Sequence, residues 1–436
     1  MEGNKLMVGA GREPIPYTDE MFPNFREEYT HVHDESYVQV LFIKAGESFA
    51  LVACGTVIVP EMGEMKRETA KILGIPETNV VVHSKHVLST PHCGRSDADE
   101  FMDRAKRSGK ELTRTEAEIY ARRDALLTDA LMSAAKEAAA KALVSVREAR
   151  MGFALGYSET NVNRVIMTGD ACLMGYNPDG LTDRSVPVLR FDDMSGKPIA
   201  ILFNCNCAPG ALENSFLSDG RRAVSGDIAA YAERFVDASY ENVVSIYTTG
   251  ATGDQWQALR AVNDTIDRQG RQTHTDLHEQ GFLLSELLGT RLGEQVVKAA
   301  ESIKTEPYSD EVKLDEAVYS YPGRSGPVKL PEKTVSSFEN PGTPMSDAGV
   351  RVLRLGDVAV VFIGMEIGVR SYKYIKDNSP FSHTFIVEFA SEYGAGYMVE
   401  RDMYAFSCHQ SNKSRFAAGG AEAFREDVVK LLKSLK

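Results

Sequence analysis

Asn204-Cys205-Asn206-Cys207-Ala208-Pro209 places two thiols and two carboxamides directly after a strand-like apolar run, Pro198-Ile199-Ala200-Ile201-Leu202-Phe203. A thiol acts as nucleophile through its thiolate, which needs a cationic neighbour or a helix N-terminus to lower its pKa. Ser225-Gly226-Asp227-Ile228-Ala229-Ala230-Tyr231-Ala232 reads as a capped helix start and is one such dipole for Cys207. The alternative reading makes both cysteines small buried residues after a strand, the usual place of a free cysteine. Glu366 ends a second apolar run, Val358-Ala359-Val360-Val361-Phe362-Ile363-Gly364-Met365, and is a general base if burial raises its pKa. A third run, Asn79-Val80-Val81-Val82, leads into His83-Ser84-Lys85-His86, whose imidazoles are either reactive groups or hydrogen-bonded strand ends. His31 and His33 share one face of an extended segment, while His274 and His278 are four apart without the glutamate of an H-E-x-x-H motif. Arg12 could clamp an anionic group or brace the core.

Such residues need a scaffold of alternating strands and helices. Gln39-Val40-Leu41-Phe42-Ile43 and Ser48-Phe49-Ala50-Leu51-Val52-Ala53 form a hairpin pair around Lys44-Ala45-Gly46-Glu47. The spacing predicts helices over 61–73, 113–143, 276–303 and 421–435, and strands over 79–82, 150–156, 186–192, 199–203 and 243–248. This alternation predicts an α/β fold, a mixed central β-sheet flanked by helices. Pro, Gly and Ser accumulate over 321–348, which reads as a surface excursion.

At 436 residues, with 43% hydrophobic and 25% charged residues, the composition is that of a globular protein with a large core. A net charge of −13 argues against nucleic acid and anionic membrane surfaces as partners. No apolar run reaches the ~18–20 residues that cross a bilayer. Met1-Glu2-Gly3-Asn4-Lys5 leads into a strand without a secretory segment, so a cytoplasmic location is expected. Six scattered cysteines resemble no disulfide framework, and reduced thiols are expected.

The order of short motifs resembles one family along nearly the whole chain. Val8-Gly9-Ala10-Gly11-Arg12-Glu13-Pro14-Ile15, the segment around His86, Asn163-Arg164, Asp183-Arg184-Ser185-Val186-Pro187-Val188-Leu189-Arg190, Gly250-Ala251-Thr252-Gly253-Asp254, Glu366 and Tyr393-Gly394-Ala395-Gly396-Tyr397 follow in sequence. They are similar to G-A-G-R-x-x-I-T-P, S-A-T-H-T-H-S-G-P, N-R-R, D-P-x-v-x-V-L-R, G-A-A-G-D, P-G-E and N-x-Y-x-G-Y of the neutral/alkaline ceramidase-like amidohydrolases. The resemblance implies one ceramidase-like catalytic domain over residues 1–436, without the immunoglobulin-like domain that ceramidases often carry after it. In that family two histidines, a glutamate and a tyrosine hold zinc, whose water attacks an amide carbonyl.

Carried over, the ligands fall on His86, Ala208, Glu366 and Tyr393, with Tyr397 a nearby alternative, and all should converge on one pocket. Ala208 coordinates nothing. The accessory histidine falls on Leu88, and Gln255-Trp256-Gln257 stands where a small polar residue faces the metal. A thiolate from Cys205 or Cys207, or an imidazole from His83 or His92, would rebuild a zinc shell. Otherwise Glu366, His86, Cys207 and Tyr393 work without metal, with His92, Arg12, Trp256, Asn206 and Tyr397 against the substrate. The leading reading is hydrolysis of the C–N bond of a small polar amide. A metal-free lyase or isomerase using Cys207, Glu366 and His86, and a ligand-binding pseudoenzyme, stand beside it.

Overall fold

Val38, Val40 and Phe42 point to one face of the strand Tyr37–Ala45 and Leu41 and Ile43 to the other, and all are buried. A strand apolar on both faces belongs to a sheet covered on both sides. The structure, a computed structural model, describes residues 5–26, 28–107, 109–168, 171–266, 269, 271–308, 310–324, 345–394, 396–406 and 408–436. Its main sheet has nine strands. Eight run in the order Val244–Thr249, Pro198–Cys205, Ser185–Asp193, Arg147–Tyr157, Met7–Pro14, Tyr37–Ala45, Glu47–Cys54 and Val80–Ser84. The short Glu306–Pro307 pairs with Arg147–Tyr157. The outermost pair at each edge is parallel and the inner pairs are antiparallel, so the sheet is mixed.

Helices α1 (Met62–Leu73), α3 (Arg114–Val144), α4 (Asp227–Ala238) and α5 (Gln280–Glu301) cover one face, and α2 (Ala98–Arg107) packs on α3. The other face carries Leu41, Leu51, Phe191 and Leu202 against Leu353, Val360, Phe362 and Phe385 of a second sheet. That sheet orders Val312–Pro322, Met345–Leu355, Val358–Ile363 and His383–Val387. Its far face packs on α6 (Val369–Asn378) and α8 (Gly420–Ser434), and the five-residue α7 (His409–Lys413) lies between them in sequence. The layers are therefore helices, sheet, sheet, helices. No helix among the described residues is long and apolar enough to cross a membrane.

The long helix expected over 113–143 starts at a capping box: Glu116 N donates to Thr113 Oγ1 at 3.3 Å and Thr113 N to Glu116 Oε2 at 2.8 Å. The helix expected over 276–303 begins later, at Gln280, because Asp276 closes the strand Gln272–Asp276 and accepts from Phe216 N at 2.8 Å. The excursion expected over 321–348 is narrower: Tyr321 and Pro322 pair with Ser346 and Met345, and 325–344 lie outside the described residues. Reduced thiols throughout were expected, but Cys172 and Cys408 form a disulfide with Cα atoms 4.9 Å apart, while Cys54, Cys93, Cys205 and Cys207 are free and buried.

The strand Met7–Pro14 lies directly under α3, and Gly9 and Gly11 make that approach possible. A Cβ on Gly11 would overlap the Ala138 carbonyl oxygen, a backbone atom that cannot rotate away. Gly11→Ala should therefore lower stability by about 1–3 kcal/mol, read as a reduced urea midpoint with unchanged slope.

Candidate active site

The two sheets are joined where their parallel strands end. Thr249 N donates to His83 Nε2 at 3.3 Å, and His83 Nδ1 donates to Glu388 O at 2.8 Å. One imidazole thus links the ends of Val80–Ser84, Val244–Thr249 and His383–Val387. Ser84 N to Phe389 O at 3.0 Å and Asn204 Nδ2 to Ile386 O at 3.0 Å tighten the same seam. Burial pushes His83 down to about 3, so the ring stays neutral and both nitrogens are committed.

Beyond this strand Lys85 is buried with 1% side-chain exposure. Its ammonium donates to Gln39 Oε1 at 2.7 Å and pairs with Glu233 of α4. Glu233 also accepts from Tyr247 N and Gln39 Nε2, each at 2.8 Å. His86 follows with a left-handed φ of 58° and stacks on Phe389, φ 53°, at 4.1 Å between centroids. Two such residues in contact cost on the order of 1–3 kcal/mol each and persist only when their surroundings hold them. His86 Nδ1 lies 2.8 Å from Val57 O. A carbonyl only accepts, so the ring proton is on Nδ1 and Nε2 carries the lone pair. Burial lowers the His86 pKa below 6.5, Glu366 opposes this, and His92 adds to it.

Glu366 pairs with Tyr397 across a short parallel ladder, Glu366–Ile367 against Tyr397–Met398. Its Oε2 accepts from Thr252 Oγ1 at 3.1 Å and lies 3.5 Å from Arg164 Nη2. Arg164 Nη2 donates to Tyr397 Oη and to Gly253 O, each at 3.1 Å. Burial, then Glu366, raises the Tyr397 phenol above its ordinary range, so it stays protonated. Glu388 is fully buried, and burial followed by Glu366 pushes it well above the usual carboxylate range. Thr252 Oγ1 touches Glu366 and Glu388 together. Glu388 also accepts from Thr252 N at 3.0 Å and from Ile367 N at 2.7 Å.

Trp256 forms the next wall. The Arg260 guanidinium lies 3.3 Å over its ring and Arg164 lies at 5.6 Å. Arg260 pairs with Glu213 at 2.8 Å, yet burial lowers it to about 10. Glu213 acts electrostatically on His86, Arg164 and His409, and the His409 ring meets Tyr397 edge-on at 5.6 Å. The Cys172–Cys408 bridge holds the segment that presents His409.

The structure brings together His86, Glu366, Tyr397, Arg164 and Trp256, with His92 half-buried near His86. Tyr393 stands apart at 42% exposure, because the pairing of Glu366 with Tyr397 selects the later tyrosine. Cys207 lies in the apolar cluster under α4 and α5, where burial raises its thiol well above the ordinary value. Asn206 is spent on backbone, donating to Asp183 O at 3.1 Å and accepting from Ala251 N at 2.9 Å. Arg12 pairs with Asp237 of α4 and covers the Tyr37 ring at 3.5 Å, a brace rather than a clamp. Sequence reasoning missed Glu388, Thr252, Glu213, Arg260 and His409. An acid closing the apolar run Phe385-Ile386-Val387-Glu388 was the signal for the first.

These donors do not fit a zinc centre. Ala208 offers none, and the Arg164 guanidinium lies 3.5 Å from the Glu366 carboxylate. Both His83 nitrogens are used, and Cys205 and Cys207 belong to the apolar cluster. Among the described residues, no group of three or more His, Cys, Asp or Glu is placed to hold a metal.

No protein-family model and no curated protein sequence matches this chain. Solved structures do. The neutral ceramidase of Pseudomonas aeruginosa superposes with a TM-score of 0.70 at 14% identity, over 99% of this chain and 74% of that one. A ceramidase complexed with C2 gives 0.68 at 13% identity, over 99% and 75%. The fold is ceramidase-like. Within it, His83 joins the strand ends of the two sheets, and the buried Lys85–Glu233 pair lies one residue before His86 in sequence.

Lys85→Met should leave Glu233 buried and uncompensated and cost about 3–5 kcal/mol. The double variant Lys85→Met/Glu233→Leu should recover much of that loss in the same urea titration.

Proposed function

We propose that this chain hydrolyses the C–N bond of a small polar amide in the pocket of the ceramidase-like fold, using its own side chains and no zinc. The observation that carries this reading is the His86 imidazole. Its proton is committed to Val57 O, and its Nε2 lone pair is left to a site shared with Glu366, Arg164 and Tyr397. A neutral imidazole in this tautomer takes a proton from water as the water oxygen bonds to the carbonyl carbon. Arg164 and the protonated Tyr397 are donors for the oxyanion that develops. Glu366 holds Arg164 in position, and burial raises the pKa of Glu388, which shares the Thr252 hydroxyl with it. The proton on His86 Nε2 then passes to the amide nitrogen as the C–N bond breaks, leaving a carboxylic acid and an amine. Cys207 has no part in this reading, since its thiol is buried and held protonated.

A panel of small polar amides, incubated with the chain in the presence of a chelator, should reveal turnover. His86→Ala should reduce kcat by about 10²–10⁴-fold. The reaction needs the unprotonated ring, and burial lowers its pKa. Activity should therefore hold as pH falls to 6.5 and decline only below it. Activity abolished by the chelator, or an acid limb above 6.5, would count against the proposal.

A further inference from the structure

A cavity of about 420 Å³ is lined by Gly253 and Asp254. Leu181, Val399, Met403 and Phe406 give it apolar walls, and Asp254, Glu400, Gln410 and the Arg370–Asp402 pair face it as polar groups. Asp254 Oδ1 accepts from Val369 N at 2.9 Å and from Gln255 Nε2 at 3.0 Å. Glu400 Oε1 accepts from Ser371 N and Ser371 Oγ, each at 3.0 Å. One oxygen of each acid thus caps the first turn of α6.

The other two oxygens have no such task. Asp254 Oδ2 and Glu400 Oε2 receive no hydrogen bond from the described residues, and both converge over Gly368. A Cβ there would stand 2.9 Å from Glu400 Oε2 and 3.4 Å from Asp254 Oδ2. Gln410 lines the same cavity at 1% exposure, and neither its Oε1 nor its Nε2 has a partner among the described residues. A buried amide left unpaired costs about 1–3 kcal/mol per group, so such a side chain calls for a ligand. The neighbouring cations are already engaged. Arg370 makes a bidentate pair with Asp402 at 3.0 and 2.9 Å, and Arg164 is turned toward Glu366 and Tyr397.

We propose that this cavity binds a primary ammonium ion carried on a short apolar body. Asp254 Oδ2, Glu400 Oε2 and Gln410 Oε1 are three acceptors for the three N–H donors of the ammonium, and the apolar walls take the alkyl group. Burial raises both carboxyl groups above their usual range, and Asp254 raises Glu400 further. A cation between them offsets both effects.

Isothermal titration with n-butylammonium chloride tests the site, with butan-1-ol as the uncharged control. The expected result is saturable one-to-one binding of the ammonium and none of the alcohol. Glu400→Gln should weaken binding about ten-fold or more, the size of a lost charge-assisted hydrogen bond. Leu181→Trp narrows the cavity without touching either acid, and should weaken binding even if Glu400→Gln fails to fold. Absence of saturable binding to the wild-type chain, equal binding of butan-1-ol, unchanged affinity in either folded variant, or displacement of the ammonium by calcium would overturn the proposal.

Discussion

The arrangement of the site depends on one buried ion pair. Lys85 and Glu233 each have 1% side-chain exposure, and a charge so placed is tolerated only with a partner and further hydrogen bonds. Gln39 bonds to both members, and Tyr247 N and Thr249 Oγ1 bond to Glu233 and to the Lys85 carbonyl. Four elements are fixed against each other: the strands Tyr37–Ala45 and Val244–Thr249, the end of Val80–Ser84, and α4. The chain must then turn sharply at the next residue. His86 takes the left-handed backbone at that turn, and Val57 and Phe389 hold its ring from two sides.

Around that anchor the polar groups divide their work. His83, Asn204, Asn206 and Thr249 satisfy backbone groups at the strand ends and are not available for chemistry. Arg164 and Arg260 face Glu366 and Glu213, so the pocket holds paired rather than stray charge. Burial raises the pKa of Glu388, and Thr252 links it to Glu366. The low-dielectric wall of Trp256 strengthens every one of these interactions.

Much of the architecture was legible because period-two and helical spacing are local properties. The hairpin around Gly46, the helix behind Thr113 and the strand before Asn204 lie where the apolar pattern put them. The mixed sheet flanked by helices follows from that alternation, and the second stacked sheet does not, since nothing local distinguishes its strands from those of the first. His86 and Glu366 were singled out by the family resemblance, and the structure sets them within electrostatic reach of each other. Which tyrosine stands beside Glu366 is decided by ladder register, a pairing between segments that no local pattern carries. The Cys172–Cys408 bridge joins residues 236 apart in sequence and left no spacing signal. Cys207 was misleading for a physical reason: a thiol after a strand reads alike whether it faces a pocket or an apolar cluster.

In the proposed reading His86, Glu366, Arg164 and Tyr397 serve proton transfer and charge pairing and hold no zinc. Titration of zinc into the folded, chelator-treated chain, compared with His86→Ala, tests it most directly. No saturable one-to-one zinc site that depends on His86 is expected. Stoichiometric zinc binding lost in His86→Ala would contradict it.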